Sequence, residues 1–219
     1  MFMKRFFILM VFVIIAIQSY SQSKDTESTA IQKAYDACIS MRDAVGANDK
    51  EAIRNAANDL SACGTREFNA LRCKSGEESV NGHLLFDEIF ANALADGKDV
   101  YQQADSISES RVYRGQTADG SILTKTCFAK AGKTVKYTFP SKGRQELAVV
   151  AEAGGRVTMK VHVTNKKGLN KRYDDTTSVK MGLPNRKTTF MLPGDCVNIV
   201  ELEVINCCKK DISFVVISN

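Results

Sequence analysis

A chain of 219 residues with a formal net charge of +5, 44% hydrophobic and 25% charged residues fits one large domain or two small ones with a buried core. It shows no internal repeat and no low-complexity tract, which sets aside repeat and fibrous architectures. The near-neutral total hides a division: residues 22–110 carry 9 Lys plus Arg against 16 Asp plus Glu, a net of −7, whereas residues 111–219 carry 19 against 9, a net of +10.

The chain opens with Lys4 and Arg5, an uncharged run from Phe6 to Ile17, and a small-x-small pattern ending near Ser21. A basic n-region, an apolar h-region and a cleavage site make residues 1–21 a signal peptide for the Sec pathway, with a periplasmic or extracellular product. The apolar run falls short of the roughly 20 residues a membrane span needs, so no span is expected after cleavage. No cysteine follows the site, so lipid anchoring is not indicated.

From Thr26 to Ser108 apolar residues recur at helical spacing and proline is absent. Ala30, Ala34, Ala37, Met41 and Ala44 form one stripe, with Ile31, Tyr35 and Cys38 beside it, and Gly46 closes this helix. Asn48 with Glu51 three residues on reads as an N-cap, and Ile53, Ala56, Ala57 and Leu60 continue a second helix to Gly64. A short third piece carries Phe68 and Leu71. After Lys74, Ser75 and Gly76 a longer helix presents Phe86, Ile89, Phe90, Ala93, Leu94, Val100, Tyr101, Ala104 and Ile107. Residues 22–110 are therefore expected to form an antiparallel helical bundle.

Near Arg111 the period drops from 3.6 to 2, and all three prolines (Pro140, Pro184, Pro193) lie beyond it. Strands are expected at Ile122–Phe128, Val135–Phe139, Glu146–Ala151, Val157–Thr164, Thr177–Leu183, Lys187–Leu192, Val200–Val204 and Ile212–Ile217. Turn residues at Gly132, Gly143, Gly154-Gly155, Gly168 and Gly194 separate them at short intervals. The fold class is thus α+β: a helical domain over 22–110, then an antiparallel, jelly-roll-like β-sandwich over 111–219.

Within that second region, Gly132 leading into Tyr137-Thr138-Phe139, Leu147-Ala148-Val149, the Lys167-Gly168 turn, Asp174-Asp175, Thr189-Phe190, Val200 to Asn206 and Ser213 to Val216 resemble the bacterial pre-peptidase C-terminal family. The resemblance spans residues 127–219. It implies a small β-sandwich of the kind appended to secreted enzymes and surface proteins.

Seven cysteines in an exported chain predict disulfides. Cys38, Cys63 and Cys73 lie in the acidic half; Cys127, Cys196, Cys207 and Cys208 lie in the basic half. The odd total leaves one over, and the neighbours Cys207 and Cys208 have poor geometry for bonding each other.

Candidates for chemistry are few. His83 stands four and five residues ahead of Asp87 and Glu88, the spacing of an acid–base pair or part of a metal site, but zinc needs three or four ligands and the other histidine, His162, is on a distant strand. Cys73, ten residues before His83, lacks the surroundings of a nucleophile and reads as structural. Asp174 and Asp175 supply too few oxygens for calcium. Nucleophile-elbow, zincin and phosphate-loop patterns are absent, so no cofactor, metal or catalytic residue is assigned.

The most informative feature is the basic run Lys166, Lys167, Lys171 and Arg172, supported by Lys160, Lys180, Arg186 and Lys187. Gathered on one face, these side chains would attract a polyanion such as an acidic polysaccharide or lipid head groups; the plainer alternatives are docking of the two oppositely charged halves, or solubility alone. Nucleic acid is not indicated, since only Tyr173 interleaves the run. The reading is an exported, non-catalytic bacterial envelope protein whose sandwich binds a ligand or an envelope partner, with an anionic glycan as candidate ligand. The alternative is a hydrolase of cell-wall or polysaccharide material, acting between the halves around His83, Asp87 and Glu88.

Overall fold

In the computed structural model, residues 30–76, 122–174 and 181–219 are described. The signal-peptide residues 1–21, the expected boundary at 110/111 and the helix expected over Phe86–Ile107 lie outside them.

Helix α1 (Ala30–Ala47) buries Ile31, Ala34, Ala37, Cys38, Met41 and Ala44, the stripe its spacing dictates. It runs past Gly46, whose missing side chain lets the helix approach Ala153: a Cβ there would meet the Ala153 Cβ at 3.3 Å. The helix ends instead at Asn48, which takes the left-handed conformation (φ 54) that asparagine tolerates. The next residue caps helix α2 (Lys50–Ala62): the Asp49 Oδ1 accepts from the backbone N–H of Glu51 at 3.1 Å and of Ala52 at 3.0 Å. The cap is thus one residue beyond Asn48, because Asn48 is needed for the left-handed step.

The third piece, expected as helix, is extended. Two short strands, β1 (Arg66–Glu67) and β2 (Arg72–Ser75), flank a crossover whose Phe68 and Leu71 are buried. Two apolar residues three apart suit a helix face and equally a chain that dips twice into a core, so their spacing does not decide between them. The described part of 22–110 therefore comprises two helices and two short strands, so a helical bundle is not confirmed: the two helices pack on each other and bury their stripes on a sheet.

Strands β3 (Leu123–Ala129), β4 (Thr134–Ser141), β5 (Arg144–Ala151), β6 (Val157–Asn165), β7 (Asn170–Asp174), β8 (Asn185–Met191), β9 (Asn198–Asn206) and β10 (Ile212–Ser218) complete a β-sandwich. One sheet has the order β1-β3-β10-β5-β8 and the other β2-β4-β9-β6-β7. Here they are called the covered and the open sheet. Pairing is antiparallel except that β1 joins β3 in parallel. The pairs β3·β10, β4·β9, β5·β8 and β6·β7 are nested, so these eight strands pair like the arms of one long hairpin folded across two layers.

The core between the sheets holds Tyr137, Phe139, Val161, Val163, Leu147, Val149, Phe190, Val200, Leu202, Phe214 and Val216. At one edge β1 extends the covered sheet and β2 the open one, so Phe68 and Leu71 cross between them; the Phe68 ring meets Phe139 edge-on at 4.9 Å. At the other edge Tyr173 stacks on Phe190 at 4.8 Å. A second core lies on the outer side of the covered sheet, where Ala148, Val150, Val215, Ile217 and Ile122 meet α1 and α2.

Strand β7 was not among those expected. Its sequence, Asn170-Lys171-Arg172-Tyr173-Asp174, reads as a charged turn, yet charge is what an edge strand carries to discourage pairing with another chain. Of the expected strand Thr177–Leu183, residues 177–180 lie outside the described residues, and Leu183 makes a single bridge to Val157.

Candidate functional site

The open sheet presents one face to water. Alternation along β4, β9 and β6 turns Val135, Tyr137 and Phe139, then Val200, Leu202 and Val204, then Met159, Val161 and Val163 inward. The residues between them form rows across the outer face. One row runs Arg72, Thr138, Glu201, His162, Arg172 over β2, β4, β9, β6 and β7, and the next sets Lys136, Glu203 and Lys160 side by side.

Charges alternate along these rows. Lys74 reaches Glu201 at 2.5 Å; Lys136 lies 2.8 Å from Glu203 and 4.0 Å from Glu201; Lys160 lies 3.6 Å from Glu203. Hydrogen bonds from Lys74 to Glu201 and from Lys136 to Glu203 hold both carboxyls below the usual glutamate range, against the opposing effect of partial burial. The same bond to Glu203 raises Lys136. His162 Nε2 is 2.7 Å from Asn170 Oδ1, which fixes the ring beside Arg172. A shallow hollow of about 260 Å³ lies over this arrangement, lined by Lys136, Lys160, Val161, His162, Arg172, Glu201 and Glu203. Both glutamates are already matched by lysines. Arg172, at the β7 side of the hollow, has no ion-pair partner among the described residues.

The basic residues singled out from sequence do not gather on one face. Lys166 and Lys167 occupy the β6–β7 turn, where Lys167 is ion-paired with Asp195. Lys171 and Arg172 are consecutive strand residues, so they leave β7 on opposite sides: Lys171 is in register with the inward Val163, Arg172 with the outward His162. Arg172 and Lys160 belong to the hollow. Arg186 points into the sandwich and is 5% exposed; Lys187 lies under α1, 3.2 Å from Glu146 and 2.7 Å from the Gln32 Oε1. Lys180 lies outside the described residues. The reason is strand β7, whose alternation sends Lys171 and Arg172 to opposite sides.

His83, Asp87, Glu88 and Asp175 lie outside the described residues. Among those that are described, no cluster of three or more His, Cys, Asp or Glu could hold a metal ion. No two of the seven cysteines lie at disulfide-bonding distance, so the structure does not show the expected disulfides. Cys38 sits in the helix stripe and Cys127 in the sandwich core, positions their apolar character explains without a bond. Burial, and secondarily Cys63, push the Cys38 thiol up. A hollow of about 380 Å³ beside the end of α1 is lined by Arg42, Asp43, Gly46, Gly154, Gly155 and Arg156 among others. Arg42 there is engaged by Asp43 at 2.7 Å and by the Asn185 Oδ1 at 2.9 Å, which makes it a latch for the helix.

The residues that sequence reasoning missed are Lys136, Glu201 and Glu203. Their signal was present: charges at alternate positions of β4 and β9 mark the wet face of a half-buried strand. Only the register brings them together.

No protein-family model matches the chain, and no curated protein matches it by sequence. Among solved structures, the Yersinia pseudotuberculosis-derived mitogen aligns with 45% of this chain and 84% of its own at 9% identity and a TM-score of 0.35. The module TmCBM61, solved in complex with β-1,4-galactotriose, aligns with 45% of this chain and 81% of its own at 9% identity and a TM-score of 0.30. PliG from Salmonella Typhimurium, a periplasmic inhibitor of g-type lysozyme, aligns with 47% of this chain and 89% of its own at 15% identity and a TM-score of 0.30. At such TM-scores these likenesses carry no argument about function.

Proposed function

We propose that the chain is an exported, non-catalytic protein of the bacterial envelope, and that its jelly-roll sandwich binds an anionic ligand on the outer face of the open sheet. The observation that carries this reading is the Arg172 guanidinium beside His162 and Lys160, in a hollow whose glutamates are already taken by Lys74 and Lys136. A planar guanidinium with no carboxylate partner among the described residues suits a carboxylate or sulfate from outside, held by two parallel hydrogen bonds. An acidic polysaccharide is the ligand class in view. On the described part of the open sheet the rings of Tyr137, Phe139 and Tyr173 face the core. Recognition would therefore rest on charge and hydrogen bonds, with no aromatic platform for stacking a sugar.

Export rests on the n-region, h-region and cleavage pattern of residues 1–21. The nested strand pairing supports the jelly-roll winding, and kinship with the pre-peptidase C-terminal domains belongs to the same proposal. No helix among the described residues is long and apolar enough to cross a membrane.

Titration calorimetry at low salt with a hexuronate oligosaccharide and its methyl-esterified, uncharged form tests the reading. The charged form is expected to bind and the ester to fail, with Arg172→Ala weakening the charged ligand by at least about tenfold. Equal binding of both forms, or indifference to Arg172→Ala and Lys160→Ala together, would remove the site.

A further inference from the structure

The five large hydrophobic side chains most open to solvent among the described residues all fall between Met181 and Ile199, and three of them flank the β8–β9 loop: Met191 is 68% exposed, Val197 50% and Ile199 44%. This loop lies at the same end of the sandwich as the β4–β5 and β6–β7 turns. The three are tied together. Leu192 N–H donates to the Gly143 carbonyl at 2.8 Å, and Met191 is in register with Arg144. The buried Asn198 amide donates to the carbonyls of Ser141, Pro193 and Cys196, and its oxygen accepts from Asn165 at 3.0 Å. Asn165 Oδ1 in turn accepts from the N–H groups of Lys167 and Leu169, both at 2.9 Å. Val197 thus stands on a cross-braced loop, with Met191 the last residue of β8 and Ile199 the second of β9 on either side of it.

The charge around them is predominantly basic. Residues 140–144, 165–171 and 191–199 contain Lys142, Arg144, Lys166, Lys167 and Lys171, and their single acid is Asp195, which Lys167 neutralises. Lys142, Lys166 and Lys171 have no acidic partner among the described residues. Exposed aliphatic side chains ringed by long basic ones match an anionic lipid surface: the apolar tips enter the acyl boundary while ammonium groups stay among the head groups.

We propose that this loop end docks on an anionic lipid surface, with Met191 and Val197 inserting and Lys142 and Lys166 contacting head groups. The site is separate from the hollow around Arg172 and stands whether or not a glycan binds there.

Co-sedimentation of the purified chain with vesicles of phosphatidylcholine alone, and of phosphatidylcholine mixed with phosphatidylglycerol, tests it. The mixed vesicles are expected to retain the protein and to release it at high salt. Lys142→Glu with Lys166→Glu should lower partitioning by more than about thirtyfold, since removing each lysine is worth roughly fivefold and reversal adds to that. Met191→Ser and Val197→Ser should each lower it about tenfold, and Arg172→Ala should leave it unchanged. The proposal is overturned if phosphatidylglycerol confers no advantage, if either the lysine or the apolar variants bind within twofold of wild type, or if Arg172→Ala abolishes binding. Because the lysine and apolar variants all sit on the surface, each set checks the other should one fold poorly.

Discussion

The two sheets of the sandwich are built from different sequence patterns, and the difference tells which one has a second cover. In the covered sheet, β5 is buried from Gln145 to Ala151 and β10 from Ile212 to Ser218, with no residue between left to water. In the open sheet, β9 alternates strictly: Asn198, Val200, Leu202, Val204 and Asn206 inward, Ile199, Glu201, Glu203 and Ile205 outward. A strand buried on both faces cannot use half its positions for charge, so a continuous apolar run announces a partner layer. Here that layer is α1 and α2. The open sheet kept its outer face for polar residues, and that face holds the candidate ligand site.

The comparison breaks most sharply on a charge placed on the outer face of each sheet. Val215 is 2% exposed and meets the helices. Val215→Lys should cost more than about 4 kcal/mol, because an unpaired ammonium would be sealed under α1. Thr138→Lys, half-exposed on the open sheet, should stay within about 0.5 kcal/mol. Urea unfolding curves for the two variants measure the contrast. Similar midpoints would mean that the helices do not shield the covered sheet.

Much of this organisation was legible in advance. Alternation located β4, β6 and β9 to within a few residues, since it follows from burying one face of a strand, and strands were expected at β5 and β10 as well. The stripe from Ile31 to Ala44 was equally plain, but a stripe says only that a helix is covered and leaves open by what. That is why two helices resting on a sheet were read as part of a bundle. Strands β1 and β2 were invisible for a related reason: they are held by hydrogen bonds to β3 and β4, and their own residues show no period. The candidate site was half legible. Arg172 and Lys160 were singled out, whereas Glu201, Glu203 and Lys136 acquire meaning only through pairings between strands far apart in sequence.

Both ends of β9 carry a buried asparagine, and these sharpen the contrast between ladder and loops. Asn198 organises the loop end; Asn206 donates to the carbonyls of Ala129, Lys130 and Lys210 at 2.8 to 3.1 Å and accepts from Cys208 N–H at the other end. Asn198→Ala should cost about 1–3 kcal/mol by stranding three carbonyls, and hydrogen exchange should quicken in the β8–β9 and β6–β7 connections before it does in the sheets. Uniform acceleration over the whole sandwich would show that the loops and the ladder open as one unit. A smaller effect belongs to the helical layer: Asp49→Ala removes the α2 cap, with an expected loss of about 1 kcal/mol in a thermal melt.

The smallest expected effect is electrostatic and separates the open face from everything beneath it. Glu201 and Glu203 ionise below the ordinary glutamate range because Lys74 and Lys136 hydrogen-bond their carboxylates. A carboxyl whose folded pKa is depressed binds fewer protons folded than unfolded. Its contribution is therefore complete above the unfolded value of about 4.3 and is lost as pH falls through the lower folded value. Wild type should exceed Glu201→Gln/Glu203→Gln in stability by about 1 kcal/mol or less at neutral pH, since the pairs are partly solvated, and the gap should close below about pH 4 and shrink with added salt. A gap that persisted in acid would mean that the two glutamates act through packing or neutral hydrogen bonds, and that the alternating rows on the open sheet do not set its charge balance.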